Sequence, residues 1–121
     1  MKTLPLLFAF SVLSLAPASV ADAVDDKICD SGICVVEFNA SFNSQNSVEW
    51  IEKLNDCETS RVDIVSAPSL QKEHKIVVVP TIVVFSEGEE VKRFQANIMM
   101  TMEASRDDVQ EAVDEIMMSD F

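Results

Sequence analysis

The sequence predicts an α/β domain in which a mixed four-stranded sheet carries helices on both faces. Two short β-branched apolar runs, Ile33 to Phe38 and Thr81 to Phe85, are typical of strands that are covered on both sides. An apolar stripe from Val109 to Met117 indicates an amphipathic helix at the C-terminal end. The patterns between them give the order β-α-β-α-β-β-α, in which the first two strands lie parallel through a right-handed crossover.

Size and charge exclude several classes of function. The chain has 121 residues, enough for one domain, and its 21 acidic and 9 basic side chains give a net charge of −12. A protein this acidic repels the phosphate groups of nucleic acids, and we therefore expect no nucleic-acid partner. Three cysteines and one histidine leave few soft metal ligands, and we expect neither a metal nor a cofactor.

Residues 1–23 have the pattern of a secretory signal peptide. Lys2 supplies the positive start, Leu4 to Leu15 is the apolar stretch, and Ala21-Asp22-Ala23 places small residues for cleavage after Ala23. Ser19-Val20-Ala21 is a second cleavage option, and an uncleaved membrane anchor is the alternative interpretation. We expect export to the periplasm, or to the ER lumen or extracellular space in a eukaryote, with no membrane association after cleavage. An acidic flexible segment, 24–32, then precedes a domain at 33–121.

The first half of the domain starts with the strand Ile33 to Phe38 and a polar cluster from Asn39 to Asn46. Ser47 can cap a helix in which Val48, Ile51 and Leu54 recur at helical spacing. Alternating charged and apolar residues then predict a second strand from Arg61 to Val65.

In the second half, Ser69 opens a short helix from Leu70 to Lys75. The strand Thr81 to Phe85 follows Pro80, and a turn at 87–89 leads into a hairpin partner, Glu90 to Gln95. Ser105 caps the last helix with Asp108 as a capping-box partner.

Three local motifs resemble the thioredoxin superfamily, most closely its protein disulfide isomerase type domains. They are the run from Val36 to Phe42, the segment Arg61 to Pro68, and Val79-Pro80-Thr81-Ile82, which looks like the family's cis-proline segment. The resemblance covers roughly residues 33–118 and implies a minimal thioredoxin fold. It also implies that the Val79-Pro80 bond is cis and that Glu37 is a buried acid paired with Arg61.

The active-site motif of that family is absent. Where the resemblance places Cys-x-x-Cys, directly after Phe42, this chain has Asn43, Ser44, Gln45 and Asn46. Dithiol exchange needs a thiolate nucleophile and a resolving thiol, and an amide supplies neither. We therefore expect a redox-inactive protein that binds another protein or a peptide, as a chaperone-like or adaptor module.

The resemblance also implies where such a partner binds. In the family, the backbone beside the cis-proline is exposed next to the active-site loop, and a peptide pairs there as an added strand. That surface needs no cysteine. The expected groove consists of Phe42, Asn43, Ser44, Gln45, Asn46, Val79, Pro80 and Thr81.

The cysteines Cys29, Cys34 and Cys57 support a rival hypothesis, a thiol-disulfide oxidoreductase or isomerase that uses cysteines outside the usual motif. At most one internal disulfide can form among the three, and the sequence leaves all three pairings open. Two other features have mainly structural interpretations. His74 is expected on a solvated face, and Met99 to Met102 is expected to be a core-plugging loop or a contact surface for a larger assembly.

Overall fold

A computed structural model describes residues 28–119. The strands are β1 (Ile33–Asn39), β2 (Glu58–Asp63), β3 (Thr81–Ser86) and β4 (Glu89–Gln95). The α-helices are α1 (Pro68–Glu73) and α2 (Arg106–Ser119), and two 3₁₀ helices span Ser41–Asn46 and Glu49–Lys53. The expected signal peptide, residues 1–23, lies outside the described residues, as do residues 24–27 of the acidic segment that follows it.

The four strands form one mixed sheet in the order β2-β1-β3-β4, as the sequence predicts. β1 runs parallel to β2 and antiparallel to β3, and β3 forms an antiparallel hairpin with β4. Six of the seven β1 residues are buried, because the strand lies inside the sheet with a layer over each face. This burial explains why β1 is almost entirely apolar.

The core has two apolar clusters, one on each face of the sheet. On one face, Val35 and Ile82 pack with Ile51 and with the buried side of α2, which includes Val109 and Val113. On the other face, the buried residues include Val36, Phe38, Ile64, Ile76, Val79, Val83 and Phe85. His74, at the end of α1, packs against Phe38 and Phe85 on this second face, so helical segments lie on both faces, which confirms the predicted architecture.

The predicted helix that begins at Ser47 is wrong. The chain forms two short 3₁₀ helices instead, and Ser47 and Val48 between them have extended backbone with ψ angles of 146° and 111°. The cause is tertiary: Val48 N–H donates to Glu37 Oε2 at 2.8 Å, and Arg61 Nη2 donates to the Val48 carbonyl at 2.9 Å. Both polar groups of the Val48 backbone are bound by the sheet, so a continuous helix cannot use them.

Two further boundaries differ from prediction. β2 begins at Glu58 and ends at Asp63, because the Asp63 carbonyl turns to accept the N–H groups of Ser66 and Ala67. The short helix starts at Pro68, whose ring suits the first turn of a helix, and it ends at Glu73. Lys75 just beyond it has a left-handed backbone with φ of 55°.

The last helix agrees with the prediction at its N-terminal end. Asp108 N–H donates to Ser105 Oγ at 3.2 Å, and Ser105 N–H donates to Asp108 Oδ2 at 2.9 Å. This reciprocal pair is a capping box with aspartate in place of the usual glutamate. Among residues 28–119, no helix is long and apolar enough to span a bilayer.

Candidate functional site

A network of asparagine side chains occupies the position at which the family resemblance places the two cysteines of a dithiol. Asn43 is only 1% exposed, and its Nδ2 donates to Asn39 Oδ1 at 3.2 Å while its Oδ1 accepts from Asn46 Nδ2 at 2.8 Å. Asn39 Nδ2 in turn donates to the Asn43 carbonyl and to Ser47 Oγ, each at 3.1 Å. These side-chain amides therefore have a structural role, and none of them is a nucleophile.

The same network fixes a distant loop. Asn43 Nδ2 also donates to the carbonyl of Met100 at 3.1 Å, which joins the 3₁₀ helix to the segment between β4 and α2. Within that segment, Asn97 Oδ1 accepts from the backbone N–H groups of Met99 and Thr101. Met100 itself adopts a left-handed backbone with φ of 61°. These bonds hold the methionine-rich loop in one conformation beside the 3₁₀ helix.

An apolar groove lies between that loop and the segment before β3. Its volume is about 290 Å³, and Phe42, Val77, Val79, Ile98 and Met100 supply apolar walls. Three of these side chains are largely exposed: Ile98 at 97%, Val77 at 77% and Phe42 at 67%. Contiguous exposed apolar side chains of this kind mark interaction surfaces.

The proline segment begins at Val79, which lines the groove. The Val79-Pro80 bond is cis, as the resemblance implies, and both residues are buried. Thr81 is fully buried, and its Oγ1 donates to the Val78 carbonyl at 2.7 Å, which satisfies the hydroxyl. This segment positions the apolar wall but exposes little side-chain surface of its own.

The residues expected to form one peptide groove divide among three depressions. Phe42 and Val79 line the apolar groove, Ser44 lines a polar depression beside Glu37, and Gln45 and Asn46 line a third one. Asn43 lies beneath the surface rather than on it. Of the expected residues, only Phe42 and Val79 line the apolar groove, whose other walls include Val77, Ile98 and Met100.

Val77, Ile98 and Met100 line the groove, although the sequence did not assign them to it. The loop from Met99 to Met102 was expected to plug the core or to form a contact surface; Met102 packs against the core cluster that contains Val35, whereas Met99 is largely exposed. One signal was available in the sequence: four consecutive apolar or near-apolar positions, Ile98 to Thr101, follow a polar asparagine in a loop without any helical or strand period.

Glu37 and Arg61 form the expected ion pair across β1 and β2. They lie opposite each other in the sheet register, and Arg61 Nη1 donates to Glu37 Oε1. Glu37 is 1% exposed, and burial raises the pKa of its carboxyl, although the Val48 N–H and the Arg61 charge oppose that rise. Both oxygens of this carboxylate accept hydrogen bonds from neighbouring segments, in agreement with a structural acid.

Cys29 and Cys34 form a disulfide, which decides among the three pairings left open by the sequence. The bond ties the segment before β1 to the start of that strand. Cys34 lies five residues before Asn39, a distance of about 17 Å along the strand at 3.3 Å per residue. The disulfide is therefore at the opposite end of the sheet from the asparagine network.

Cys57 is half-buried with a free thiol. Burial raises its pKa, and the neighbouring Asp56 charge raises it further. Its side chain packs against the cluster that contains Val35, whereas Cys34 belongs to the cluster on the other face. The sheet thus separates the thiol from the disulfide, so the two are not arranged for exchange with each other.

His74 is not on the solvated face that the sequence predicts. Its ring is half-buried between Phe38 and Phe85, with ring centroids 5.4 and 5.5 Å away. Its carbonyl accepts from Arg93 Nη2 at 2.7 Å, which ties the end of α1 to β4. This apolar contact was not predicted, because the residues beside His74 in the sequence are charged. Within residues 28–119, no group of three or more metal-binding side chains occurs.

No protein-family model matches the chain, and no curated protein does. Solved structures do match it. A mutant thioredoxin from Halobacterium salinarum is 21% identical with a TM-score of 0.57, over 76% of this chain and 80% of that one. A mutant thioredoxin from Entamoeba histolytica is 22% identical with a TM-score of 0.55, over 78% and 92%. Thioredoxin from Schistosoma mansoni is 17% identical with a TM-score of 0.56, over 79% and 86%.

These similarities agree with the mixed four-stranded sheet and its strand order. At such identities they establish the architecture and leave activity to be argued from the site. The chain has a thioredoxin fold.

Proposed function

We propose that this protein is a redox-inactive module of thioredoxin fold that binds an apolar segment of another protein or a peptide. The observation that carries the proposal is the apolar groove walled by Phe42, Val77, Ile98 and Met100, next to a loop without a dithiol. A groove of about 290 Å³ accommodates one or two large apolar side chains of a bound segment.

The arrangement of the groove favours binding over chemistry. The asparagine network fixes one wall through the bond from Asn43 to the Met100 carbonyl, so the groove is formed before a ligand arrives. Phe42 and Met100 supply flat and flexible apolar surface, respectively, and both residue types are favoured at the centres of interfaces. No thiol lines the groove.

Binding of an unfolded chain tests this proposal. Reduced, carboxymethylated α-lactalbumin carrying a fluorophore is titrated with the purified protein, and anisotropy gives the affinity. Phe42→Ser and Ile98→Ser should each weaken binding about tenfold or more, since each removes a large apolar contact. Val91→Ser is the matched control, because Val91 is 52% exposed on β4 and does not line the groove.

Equal affinities for all three variants would overturn the proposed site. A chaperone-like role and an adaptor role differ in selectivity. A chaperone-like module should bind several unrelated unfolded chains with similar affinities, whereas an adaptor should bind none of them well and one folded partner tightly.

A thiol-disulfide oxidoreductase or isomerase is the second candidate, favoured by the disulfide between Cys29 and Cys34. Insulin reduction by the protein and by single Cys→Ser variants tests it directly. Activity above that of a cysteine-free variant, lost in one single variant, would support the enzyme. The raised pKa of Cys57 argues against this thiol as the nucleophile, because the thiolate is the reactive form.

Export is also a proposal. The pattern of residues 1–23 supports it, and so does the disulfide, since disulfides persist mainly in oxidising compartments. N-terminal sequencing of the protein from its native source should find a new terminus after Ala23 or Ala21. A terminus at Met1 would contradict cleavage.

A further inference from the structure

The outer edge of β2 has unpaired backbone groups along most of its length. Within residues 28–119, β2 lies at the end of the sheet and pairs only with β1. Ile64 N–H donates to the Asn39 carbonyl at 2.9 Å, so even-numbered residues of this strand face β1. Because backbone direction alternates along a strand, the N–H and C=O groups of Thr59 and Arg61 point away from the sheet.

The side chains of the strand do not shield this edge. The Arg61 guanidinium turns inward to Glu37 and to the Val48 carbonyl, so it does not cover the free backbone beside it. Sheet edges in native proteins are usually blocked by a bulge, a proline or an outward lysine. The opposite edge has such protection, since β4 pairs with β3 through an irregular register and carries Lys92.

Two depressions flank the edge on the face of the sheet that carries the Arg61 side chain, and Arg61 lines both of them. A depression of about 200 Å³ is lined by Ile51, Glu52, Thr59 and Arg61. The other, of about 230 Å³, includes Arg61, Val62 and Asp63 together with residues of the first 3₁₀ helix. An added strand directs every second side chain to this face, so alternate residues of the bound segment would enter the two depressions.

The charges around the edge indicate which kind of peptide segment would bind there. Residues 52–63 contain four acids (Glu52, Asp56, Glu58 and Asp63) and two bases, and the guanidinium of one of those bases is bound to Glu37. Glu52 is 75% exposed, and its Oε1 lies 4.0 Å from Arg61 Nη2, which places this carboxylate beside the edge. A basic side chain in the depression there would lie beside the Glu52 carboxylate, while the Arg61 charge is held by Glu37.

From these observations we infer that the outer edge of β2 receives an extended basic peptide segment as an added strand. Main-chain hydrogen bonds to Thr59 and Arg61 supply affinity, and lysine or arginine beside Glu52 supplies selectivity. A second copy of this chain fits less well, because pairing two β2 edges would bring two acidic strands together in a protein of charge −12.

The test uses the capped peptide Lys-Thr-Lys-Val-Lys-Thr-Lys and a matched peptide with glutamine in place of each lysine. Anisotropy gives affinities, and amide hydrogen exchange locates the site. The lysine peptide should bind saturably and more tightly than the glutamine peptide, with a difference that shrinks as salt is added. Its binding should slow exchange at the Thr59 and Arg61 amides.

Two further comparisons, each of a variant with a matched control, test whether the peptide binds at this edge. Thr59→Pro removes one outward N–H without touching the ladder to β1, and it should weaken binding by about fivefold or more. Gln95→Pro is its control on the opposite edge, where Ala96 N–H donates to the Pro80 carbonyl and Gln95 therefore faces outward. The double variant Glu52→Gln with Glu58→Gln should weaken binding of the lysine peptide and leave binding of the glutamine peptide unchanged. The double variant Glu111→Gln with Glu115→Gln on α2 is its control and should leave both affinities unchanged.

Several outcomes would overturn the inference. They are no saturable binding, exchange protection elsewhere, equal affinities for Thr59→Pro and Gln95→Pro, or a dimer in which the Thr59 and Arg61 amides are protected without peptide. The edge and the apolar groove are tested separately. Phe42→Ser should leave lysine-peptide binding unchanged, and Thr59→Pro should leave lactalbumin binding unchanged.

Discussion

Asn43 donates a hydrogen bond from its side chain to the backbone carbonyl of Met100, 57 residues further along the chain, at 3.1 Å. The bond is part-buried and belongs to an amide that also bonds to Asn39 and Asn46. One side chain therefore links the loop after β1 to the loop before α2. The apolar groove depends on this link, because Phe42 and Met100 stand on its two sides.

Replacing Asn43 should destabilise the protein and loosen the groove. Asn43→Ala leaves polar partners at Asn39, Asn46 and Met100 without their bonds, at a cost of about 1–3 kcal/mol in unfolding free energy. Urea denaturation measures that cost, and amide exchange should become faster around Thr101. Ser44→Ala, at an exposed neighbour, is the control. A stability loss equal to that of the control would show that the network is dispensable.

The pair of Glu37 and Arg61 should make stability depend on pH. Burial raises the pKa of Glu37, so the folded protein holds its proton more tightly than the unfolded chain does. The free energy of unfolding should therefore fall as pH rises from the ordinary glutamate range through the raised pKa. Urea denaturation between pH 4 and pH 8 measures this slope, which should disappear in Glu37→Gln.

Removing the arginine should strengthen that pH dependence. Arg61→Ala leaves a buried carboxylate without its partner and costs about 2 kcal/mol at neutral pH, a figure below the usual range for buried pairs because the Arg61 side chain is 38% exposed. The loss should be smaller near pH 5, where Glu37 can take up a proton. Arg106→Ala, which removes an arginine paired with the exposed Asp107 and not with a buried carboxylate, should show no such difference. A pH-independent loss in Arg61→Ala would contradict the role assigned to Glu37.

The disulfide between Cys29 and Cys34 should contribute modestly to stability. It closes a short loop, with a sequence separation of 5, and chain entropy for such a loop gives about 2 kcal/mol. Dithiothreitol should lower the denaturation midpoint of the native protein accordingly. It should not do so for the double variant Cys29→Ser with Cys34→Ser, whereas Cys57→Ser should behave like the native protein.

Cys57 should react slowly with alkylating agents. Its pKa is raised by burial and by the charge of Asp56, so little thiolate is present at pH 8. We expect iodoacetamide to modify it several-fold more slowly than a cysteine in an unfolded peptide. Asp56→Asn should accelerate the reaction, and asparagine tolerates the left-handed backbone at this position, where φ is 66°. A faster reaction in the native protein than in the peptide would contradict the raised pKa.

The capping box of α2 should be worth about 1 kcal/mol. Ser105→Ala removes the acceptor for Asp108 N–H and should reduce the unfolding free energy by that amount. Ser69→Ala, at an exposed serine of α1, should change stability much less. Thermal unfolding followed by circular dichroism gives both values, and equal midpoints for the two variants would count against the cap.

Hydrophobic period and local chemistry determined much of this protein from sequence alone. The apolar runs of β1 and β3, the amphipathic stripe of α2 and its capping box each depend on neighbours close in the chain, so each could be predicted. The Glu37 pairing and the cis bond at Pro80 followed from the resemblance of short motifs.

Only the tertiary structure decided the rest, because those features depend on contacts between distant segments. The predicted helix at Ser47 gives way to 3₁₀ turns since Glu37 and Arg61 bind the backbone of Val48 from neighbouring strands. The cysteine pairing and the position of Ile98 in the groove wall likewise required segments to meet in space. Local sequence preference is weak, about 1 kcal/mol or less per residue, and a buried ion pair with two backbone hydrogen bonds outweighs it.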